Sequence, residues 1–549
     1  MRNAASKGNA FSVWWGGGSP WIWLTAGAVS LSILMVLGIL GLIAYRGLSY
    51  FWPAPLARFV LQENTKAKPI PLLGELVEDE ERLVAGVLRK RHLVKVGNRD
   101  LGGADFRWIE AGQMGEVAYP AQAVAVERAE WGDFFGYITG IAEDGQRLTT
   151  FSEDTLRERL ARAEAIKVRI QTLERQEIGA VNHRLERLRL EERRQTLSGA
   201  PPPNPAALKA VASQREALQA EFQRLARELQ KLQVEARRDT LVLTTEGGQE
   251  TSLALAKVVR IYRPNAMDLP AKAQLYIDKL HEFLTAEPRE ANTEGGIFPA
   301  IFGTVLLVMI MSFFVTPFGV LSAVYLHEYA KQGLLTQIIR IAVNNLAGVP
   351  SVVYGVFGLG FFVYFVGQNI DRLFFAAALP SPTLGTPGIL WSAITLALLT
   401  VPVVIVATEE GLSRIPRAIR EGSLALGATK AETLWRTVLP MATPAMMTGL
   451  ILAIARAAGE VAPLMMVGVV KLAPTLPLDG NFPYLHLERK FMHLGFHIYD
   501  VGFQSPNVEA ARPLVYATAL LLVLVIVLLN FLAIHIRNHL REKYRAFEG

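Results

Sequence analysis

The sequence has 549 residues, too many for one compact domain, and no cysteine, which excludes disulfides, thiol catalysis and cysteine-ligated metals. Hydrophobic residues make up 51% and charged residues 19%, so membrane-spanning and water-exposed segments must alternate. The net charge of +6 is small and lies mainly in loops beside apolar runs, which favours membrane orientation over nucleic-acid binding. No Gly-x-x-x-x-Gly-Lys-[Ser/Thr] motif occurs, so the chain has no P-loop for ATP.

The N-terminal region consists of a polar, glycine-rich segment followed by an apolar run. The run covers residues 21–45, which is long enough to cross a bilayer and too long for the apolar core of a cleavable signal peptide. Arg2 and Lys7 precede it. We therefore predict that residues 1–20 are cytoplasmic and that residues 21–45 form the first transmembrane helix.

Residues 46–294 form a large insert of soluble character. Residues 83–96 and 113–150 alternate apolar and polar positions, which predicts short strands. Between residues 153 and 238 apolar residues recur at three- and four-residue steps, on both sides of three prolines at 201–203. This heptad pattern predicts an antiparallel coiled-coil hairpin reaching roughly 50 Å, at 1.5 Å per residue. Strand character then resumes, so the hairpin interrupts a small β-rich domain.

Five more apolar runs predict transmembrane helices between residues 297 and 536. They cover residues 297–325, 339–366, 389–408, 441–470 and 514–536. The fold class is therefore an all-α polytopic membrane protein with six transmembrane helices and a large insert. The arginine-rich tail, residues 537–549, is predicted to be cytoplasmic. Counting back along the spans places the loop 409–440 inside and the insert 46–294 outside, in the periplasm.

The loop 409–440 carries the most specific spacing in the chain. Its basic residues are Arg414, Arg417, Arg420, Lys430 and Arg436. Basic composition alone would fit an ordinary cytoplasmic loop, so the spacing is the informative feature. Glu421 is followed six residues later by Gly427, and then by Leu439-Pro440. Gly427 tolerates the positive φ that a tight break between two helices requires, so we predict a short helix, a turn and a second helix.

Two charged residues, Arg456 and Glu460, lie in the apolar sequence LILAIARAAGEVAPLMMVG. Arg456 is about fifteen residues into its predicted span, which would place it near the middle of the bilayer. A charge there is costly and faces a partner or a water-filled path. Either the two residues form an ion pair that fixes helix packing, or they line the route of an anion that Arg456 attracts while Glu460 holds Arg456 in place.

Other candidate sites have simpler interpretations. Gly355, Gly358 and Gly360 lie inside an apolar span, which favours close helix packing over dinucleotide binding. His493 and His497 could bind zinc on a helix, but the apolar residues between them favour an interfacial amphipathic segment. No nucleophile–base spacing occurs. The sequence therefore predicts no catalytic residue, no metal site and no cofactor.

Four stretches together resemble the A-type permease of the bacterial phosphate-specific ABC transporter. They are TPFGVLSAVYLHEYA (316–330), NNLAGVPSVVYGVFGLGFF (344–362), the loop 409–440, and ARAAGEVAPLMMVG (455–468). The loop is similar to the EAA loop of such permeases, which implies that Glu421 and Gly427 contact a separate ATPase subunit. The family's Gly-Glu-Thr-Ala-Pro run has Val461 in place of threonine and keeps Glu460.

The resemblance implies a type I ABC importer permease fold over residues 297–536, in the bacterial inner membrane. It also implies phosphate as substrate, a second permease subunit in a heterodimer, an ATPase dimer and a periplasmic phosphate-binding protein. A permease for sulfate or molybdate would share the loop. A membrane-anchored coiled-coil scaffold or sensor would explain residues 153–238 but not the five later spans. The insert 46–294 is far longer than the corresponding loop of common members, so the resemblance assigns it no role.

Overall fold

The computed structural model describes residues 14–15, 18–62, 69–84, 87–148, 152–197, 205–331, 333–505 and 508–544. The turn predicted at 201–203 and most of the predicted N-terminal segment lie outside these residues. Six of the described helices are long and apolar enough to cross a membrane, as predicted. They extend over Trp21–Ser49, Phe298–Tyr329, Ser351–Phe374, Ile389–Ser413, Lys430–Gly459 and Ala511–Glu542.

The α-helices are named here in chain order. They are α1 (Ser19–Ser49), α2 (Arg99–Gly102), α3 (Glu153–Thr172), α4 (Gly179–Leu197), α5 (Pro205–Glu235), α6 (Leu269–Thr285), α7 (Phe298–Val324), α8 (Leu334–Leu346), α9 (Ser351–Phe357), α10 (Gln368–Phe374), α11 (Ile389–Ser413), α12 (Arg417–Ala425), α13 (Lys430–Thr433), α14 (Leu439–Gly459), α15 (Leu464–Val467), α16 (Leu494–Tyr499) and α17 (Val508–Tyr544). Wider, π-helical turns extend some of them, at Leu173–Ile178, Tyr325–Tyr329, Gly358–Gly367, Leu434–Val438 and Asp500–Gln504.

The described strands lie between α1 and α7. They are β1 (Leu56–Leu61), β2 (Ile70–Val84), β3 (Val87–Lys95), β4 (Phe106–Glu110), β5 (Val124–Arg128), β6 (Phe134–Glu143), β7 (Gln146–Arg147), β8 (Asp239–Thr244), β9 (Glu250–Ala254), β10 (Val258–Tyr262), β11 (Pro288–Arg289) and β12 (Glu294–Gly295). Strands β1 to β4 form one antiparallel sheet in chain order, with Leu56 opposite Glu75. A second sheet has the order β10-β5-β6-β8-β9, with β7 beside β6.

Two of the predicted spans, the third and the fifth, are displaced from the observed helices. The third membrane helix begins at Ser351 rather than near residue 339. Pro350 directly precedes it, and residues before Pro350 form the separate amphipathic helix α8. The fifth ends at Gly459 rather than residue 470, because Pro463 follows and the chain turns into the short helix α15. Hydropathy does not detect either break, because the residues on both sides of it are apolar.

Small residues bring the central membrane helices α7, α11 and α14 close together. A Cβ on Gly319 of α7 would lie 2.6 Å from Val404 of α11, and one on Gly449 of α14 would lie 2.7 Å from the Cβ of Ala407. Such contacts leave no room for a larger side chain. Dispersion contacts at this spacing hold membrane helices together, because lipid supplies no hydrophobic drive for their association.

The second sheet of the insert continues on both sides of the hairpin. Strand β6 precedes the hairpin and pairs with β8, which follows it, so that Ala142 lies opposite Thr240. The first turns of α3 belong to this sheet's core, since Leu156 and Ala163 pack with Leu241. Arg159 of α3 bonds Asp239 (2.6 Å) and Glu143 (2.9 Å) at the ends of the two strands. The base of the hairpin is therefore part of the sheet's core.

The two arms of the hairpin pair in opposite directions. Ion pairs between them connect Arg162 with Glu235, Arg169 with Glu228, Arg184 with Glu221, and Arg215 with Glu192. Early residues of one arm thus meet late residues of the other, as an antiparallel pair requires. Leu173, Val181 and Leu225 form the buried seam. The hairpin beyond the sheet is consequently held by its own heptad contacts.

The insert and the membrane helices meet at the end of α6. The carbonyls of Phe283 and Ala286 accept hydrogen bonds from the backbone N–H groups of Ile297 (2.9 Å) and Phe298 (3.2 Å), so α6 leads directly into α7. Glu294 lies at this joint. Burial raises its pKa to about 8, and the nearby charge of Asp133 adds to the effect.

The hairpin contacts predict that its two halves respond differently to deletion. Replacing residues 176–228 by a short Gly/Ser linker should leave the full-length protein folded, because the removed part packs on itself. Replacing residues 153–238 should lower the unfolding temperature of the insert, because Leu156 and Ala163 leave the sheet's core. Limited proteolysis at rising temperature on membranes would measure both, with the unmodified protein as control. Equal protease resistance of the two deletions would contradict the assignment of α3 to the sheet's core.

Candidate functional site

The loop 409–440 folds as a short helix, a break and a second helix. Helix α12 begins at Arg417, directly after Pro416, whose fixed φ suits a helix start. It ends at Leu426, and Gly427 then adopts φ 89°, the left-handed conformation that favours glycine. Thr429 caps α13, accepting from the N–H of Glu432 (3.2 Å) while the Glu432 carboxylate accepts from the N–H of Thr429 (2.8 Å).

Charged groups fasten this loop to the end of the second membrane helix. Arg420 of α12 pairs with the half-buried Glu328 (3.1 Å) and donates to the carbonyl of Leu412 (2.7 Å). Lys430 of α13 donates to the backbone carbonyl of Glu328. One acidic residue thus receives bonds from both helices of the loop. Because the loop has several bonded anchors, α12 is held in a fixed position on the membrane helices.

The outer face of α12 is exposed and mixed in character. Leu426 is 91% exposed and Leu424 47%. Glu421 lies on the same helix, is exposed, and forms no ion pair with any residue that the structure describes. An apolar tip beside an unpaired carboxylate is typical of a surface that a partner covers, since it exposes both an apolar area and an unused acceptor. Glu421 therefore lies on the exposed face of α12, and Gly427 lies at the turn that follows this helix.

Arg456 and Glu460 lie together at the end of α14. Arg456 is in the last turn of this helix, which ends three residues later at Gly459, whereas the predicted span continued to residue 470. Glu460 follows in extended conformation (φ −78°, ψ 128°). The Nε of Arg456 is 3.7 Å from the Oε1 of Glu460, too far for a strong hydrogen bond. The side chains remain 33% and 23% exposed, so the guanidinium keeps unused donors.

The chain after Glu460 is packed tightly against the third membrane helix. A Cβ on Gly355 would lie 2.8 Å from the Cα of Pro463, and one on Gly358 would collide with Thr395. These contacts confirm that Gly355 and Gly358 serve helix packing; Gly360 has nothing within 4 Å. The packing fixes the irregular backbone beside Arg456, where an ionisable group in a membrane is expected to meet a partner or a path.

The interfacial position predicted for His493 and His497 is wrong, because both side chains are buried. They are 0% and 2% exposed, and the neighbouring Phe491 and Leu494 are buried as well. Burial lowers the pKa of each to about 4, so both are neutral near pH 7. His493 caps α16, accepting from the N–H of Gly495 (3.1 Å). Across the described ranges no three His, Asp or Glu side chains are grouped to hold a metal ion.

The sequence interpretation missed the role of Glu328. It lies in LHEYA, within a stretch noted for its resemblance to a family but not for a single residue. The available signal was a lone acid at the end of a long apolar run, opposite a loop rich in arginine. Only the fold shows that Arg420 and Lys430 both reach it.

Comparisons with known proteins show which family the chain resembles. Residues 315–545 match the family described as binding-protein-dependent transport system inner membrane component. The phosphate transport system permease protein PstA 1 of Mycobacterium tuberculosis is 34% identical over 247 residues, 44% of this chain and 71% of that protein. PstA of Yersinia pestis is 33% identical over 250 residues, 46% of this chain and 74% of that protein. The probable ABC transporter permease YqgH of Bacillus subtilis is 31% identical over 203 residues, 36% of this chain but less than two thirds (62%) of that protein.

Solved structures of membrane transporters also match the chain. An inward-facing MetNI methionine ABC transporter chain has a TM-score of 0.32 at 18% identity, covering 44% of this chain and 94% of its own length. A chain of a bacterial alginate ABC transporter has a TM-score of 0.33 at 13% identity, covering 49% of this chain and 89% of its own.

Six candidate spans and the family match over residues 315–545 describe a transport subunit rather than an enzyme. The M. tuberculosis and Y. pestis relatives exceed 30% identity and are each covered over more than two thirds of their length. The chain belongs to the family of binding-protein-dependent transport system inner membrane components, with PstA-type phosphate permeases among its relatives.

Proposed function

We propose that this chain is a permease subunit of an ATP-driven importer that moves inorganic phosphate into the cytoplasm across a bacterial inner membrane. The observation that carries the proposal is the Arg456 guanidinium, part-exposed at the end of α14 and not hydrogen-bonded by Glu460. A guanidinium binds phosphate oxygens with two parallel hydrogen bonds, which suits it to this anion. Relatives named for phosphate transport support the same substrate.

The proposed partners follow from what the chain contains. It has no P-loop, so ATP hydrolysis falls to a separate ATPase dimer that covers Leu426 and Glu421 of α12. A second permease subunit completes the path, and a periplasmic binding protein delivers phosphate. The basic loop and tail then face the cytoplasm, and residues 46–294, with their strands and hairpin, face the periplasm.

Radiolabelled phosphate uptake tests the proposed substrate. Cells that lack this chain should lose high-affinity phosphate uptake, and its expression should restore it, because the path needs both permease subunits. A large excess of unlabelled sulfate should leave the uptake unchanged, while unlabelled phosphate should abolish it. Inhibition by sulfate or molybdate would assign the path to another oxyanion instead.

Substitution of Gly427 tests the docking loop. Gly427→Ala should reduce uptake-linked ATP hydrolysis, because an L-residue at φ 89° costs roughly 1–2 kcal/mol and shifts α12 relative to α13. Gly427→Val should act more strongly. Gly422→Ala is the matched control: the same methyl enters open space within α12, at a helical φ. Equal coupling in Gly427→Ala and the control would exclude a role for this turn.

The Arg456 and Glu460 pair can be tested by removing both charges. Arg456→Met together with Glu460→Met leaves no unpaired charge, so the permease should assemble in normal amount. Uptake should nevertheless fall about ten- to hundredfold, because charge-assisted hydrogen bonds to the anion are worth roughly 1.5–3 kcal/mol. Arg456→Lys should fall less, since lysine keeps the charge without the fork. Normal uptake by the assembled double variant would show that the pair serves packing alone.

A further inference from the structure

Asn292, near the end of the insert, is buried against the loop that follows α15. Its side chain is 1% exposed, and its Nδ2 donates to the carbonyl oxygen of Lys471 (2.8 Å) and to Oδ2 of Asp500 (3.2 Å). Asp500 is also 1% exposed and pairs with the Nζ of Lys471 (3.1 Å). One amide from the insert thus bonds two separate segments of the membrane domain, the one after α15 and the one after α16.

The backbone at Asn292 is held in a costly conformation. Glu290, Ala291 and Asn292 have φ of 43°, 53° and 74°, and L-residues in this region cost roughly 1–2 kcal/mol each. The turn uses no glycine at these positions. Two of the side chains are used as anchors in opposite directions: Glu290 accepts from Arg99 (2.8 Å) within the insert, and Asn292 donates to the membrane domain. L-residues keep such a conformation where surrounding contacts impose it, which indicates that the contacts of Glu290 and Asn292 determine this turn.

Lys471 is connected to Glu460 by a short, well-packed stretch. Leu464 accepts from the N–H of Val469 (3.1 Å), and Phe491 accepts from that of Val470 (3.0 Å). Val467 and Phe491 are both 0% exposed. Because residues 467–469 are buried and the N–H groups of Val469 and Val470 are bonded, this part of the stretch is packed too closely to absorb a displacement of Lys471 locally.

The same joint is attached to the hairpin. Arg175, in the middle of the hairpin arm, bonds both carboxylate oxygens of Glu287. Glu287 lies five residues before Asn292, next to β11. The hairpin, the strained turn and the segment that carries Glu460 therefore form one contiguous set of contacts.

We propose that Asn292 is a positioning residue, through which the insert holds the segment from Glu460 to Lys471 and limits the opening of the path at that end. Asn292 does not touch the transported anion and acts through Lys471 and Asp500. The inference rests on the proposed function for the direction and cargo of transport. It gives the insert a defined point of action on the membrane helices.

Accessibility of an introduced thiol tests this directly, since the chain has no cysteine of its own. The reporter is Ala462→Cys, two residues after Glu460, in the assembled transporter in native membranes. Adding Asn292→Asp removes both hydrogen bonds and places a carboxylate beside Asp500. Reaction of the thiol with a membrane-impermeant maleimide should then become several-fold faster, because the segment is no longer held. The maximal rate of phosphate uptake should fall, with little change in the half-saturating concentration.

Asn265→Asp is the matched control. Asn265 is also an amide that bonds backbone groups, but its partners are Leu56 and Pro120 inside the insert. It should leave the labelling rate at Ala462→Cys unchanged. Equal acceleration by both substitutions would show general loosening of the insert and would overturn the assigned role of Asn292.

Asn292→Gly keeps the test decisive if the aspartate variant does not assemble. Glycine suits the left-handed φ and relieves the strain, yet it removes the amide. Faster labelling is again expected; an unchanged rate in the assembled transporter would refute the proposal. If the cargo is another anion, the unmodified chain will fail to take up phosphate while the difference in labelling remains. The two failures can thus be told apart.

Discussion

Within the hydrocarbon of a membrane every backbone N–H and C=O must be bonded inside the protein, and this constraint governs where the chain can leave the helical conformation. The exit after Gly459 is possible because Gly355 and Gly358 let the third membrane helix lie directly against residues 463–467. The same exit leaves Arg456 at a helix end with its guanidinium part-exposed. Packing and the candidate anion contact are therefore one structural feature, and a larger residue at either glycine would disturb both.

The loop 409–440 and the pair of Arg456 and Glu460 are linked through the central membrane helices. Glu328 at the end of the second membrane helix receives Arg420 and Lys430 from the loop. That helix contacts α11 at Gly319, and α14 contacts α11 at Gly449, at a spacing that leaves no room for a larger side chain. A rigid body of this kind can transmit displacement from α12 to the end of α14, since packed interiors deform little. The proposed function uses this rigidity, because it places the ATPase contact at one end of the body and the anion contact at the other.

The insert is bonded to the membrane helices and to the loops between them. Backbone hydrogen bonds join Phe283 and Ala286 to Ile297 and Phe298 at the start of α7. Asn292 adds a side-chain hydrogen bond to Lys471, in the loop that follows α15. The hairpin base shares a core with the second sheet through Leu156. Polar contacts at the joint specify orientation, because each donor has one geometry in which it is satisfied, whereas apolar packing alone tolerates rotation. A hairpin mounted in this way can act on the transporter as well as protrude from it.

Local patterns in the sequence predicted what short-range physics determines. Apolar runs predicted the six spans, and the heptads predicted the two arms of the hairpin. The Glu421–Gly427 spacing predicted a helix, a turn and a second helix. Sequence patterns failed where the outcome depends on distant partners. Arg456 was placed at mid-span because hydropathy does not register that Gly459 and Pro463 end the helix. Asn292 and the buried histidines carry no local signal, and the lone acid Glu328 carries one without a partner, because their contacts come from residues far along the chain. Tertiary packing decided these features, since only the fold brings such partners within hydrogen-bonding distance.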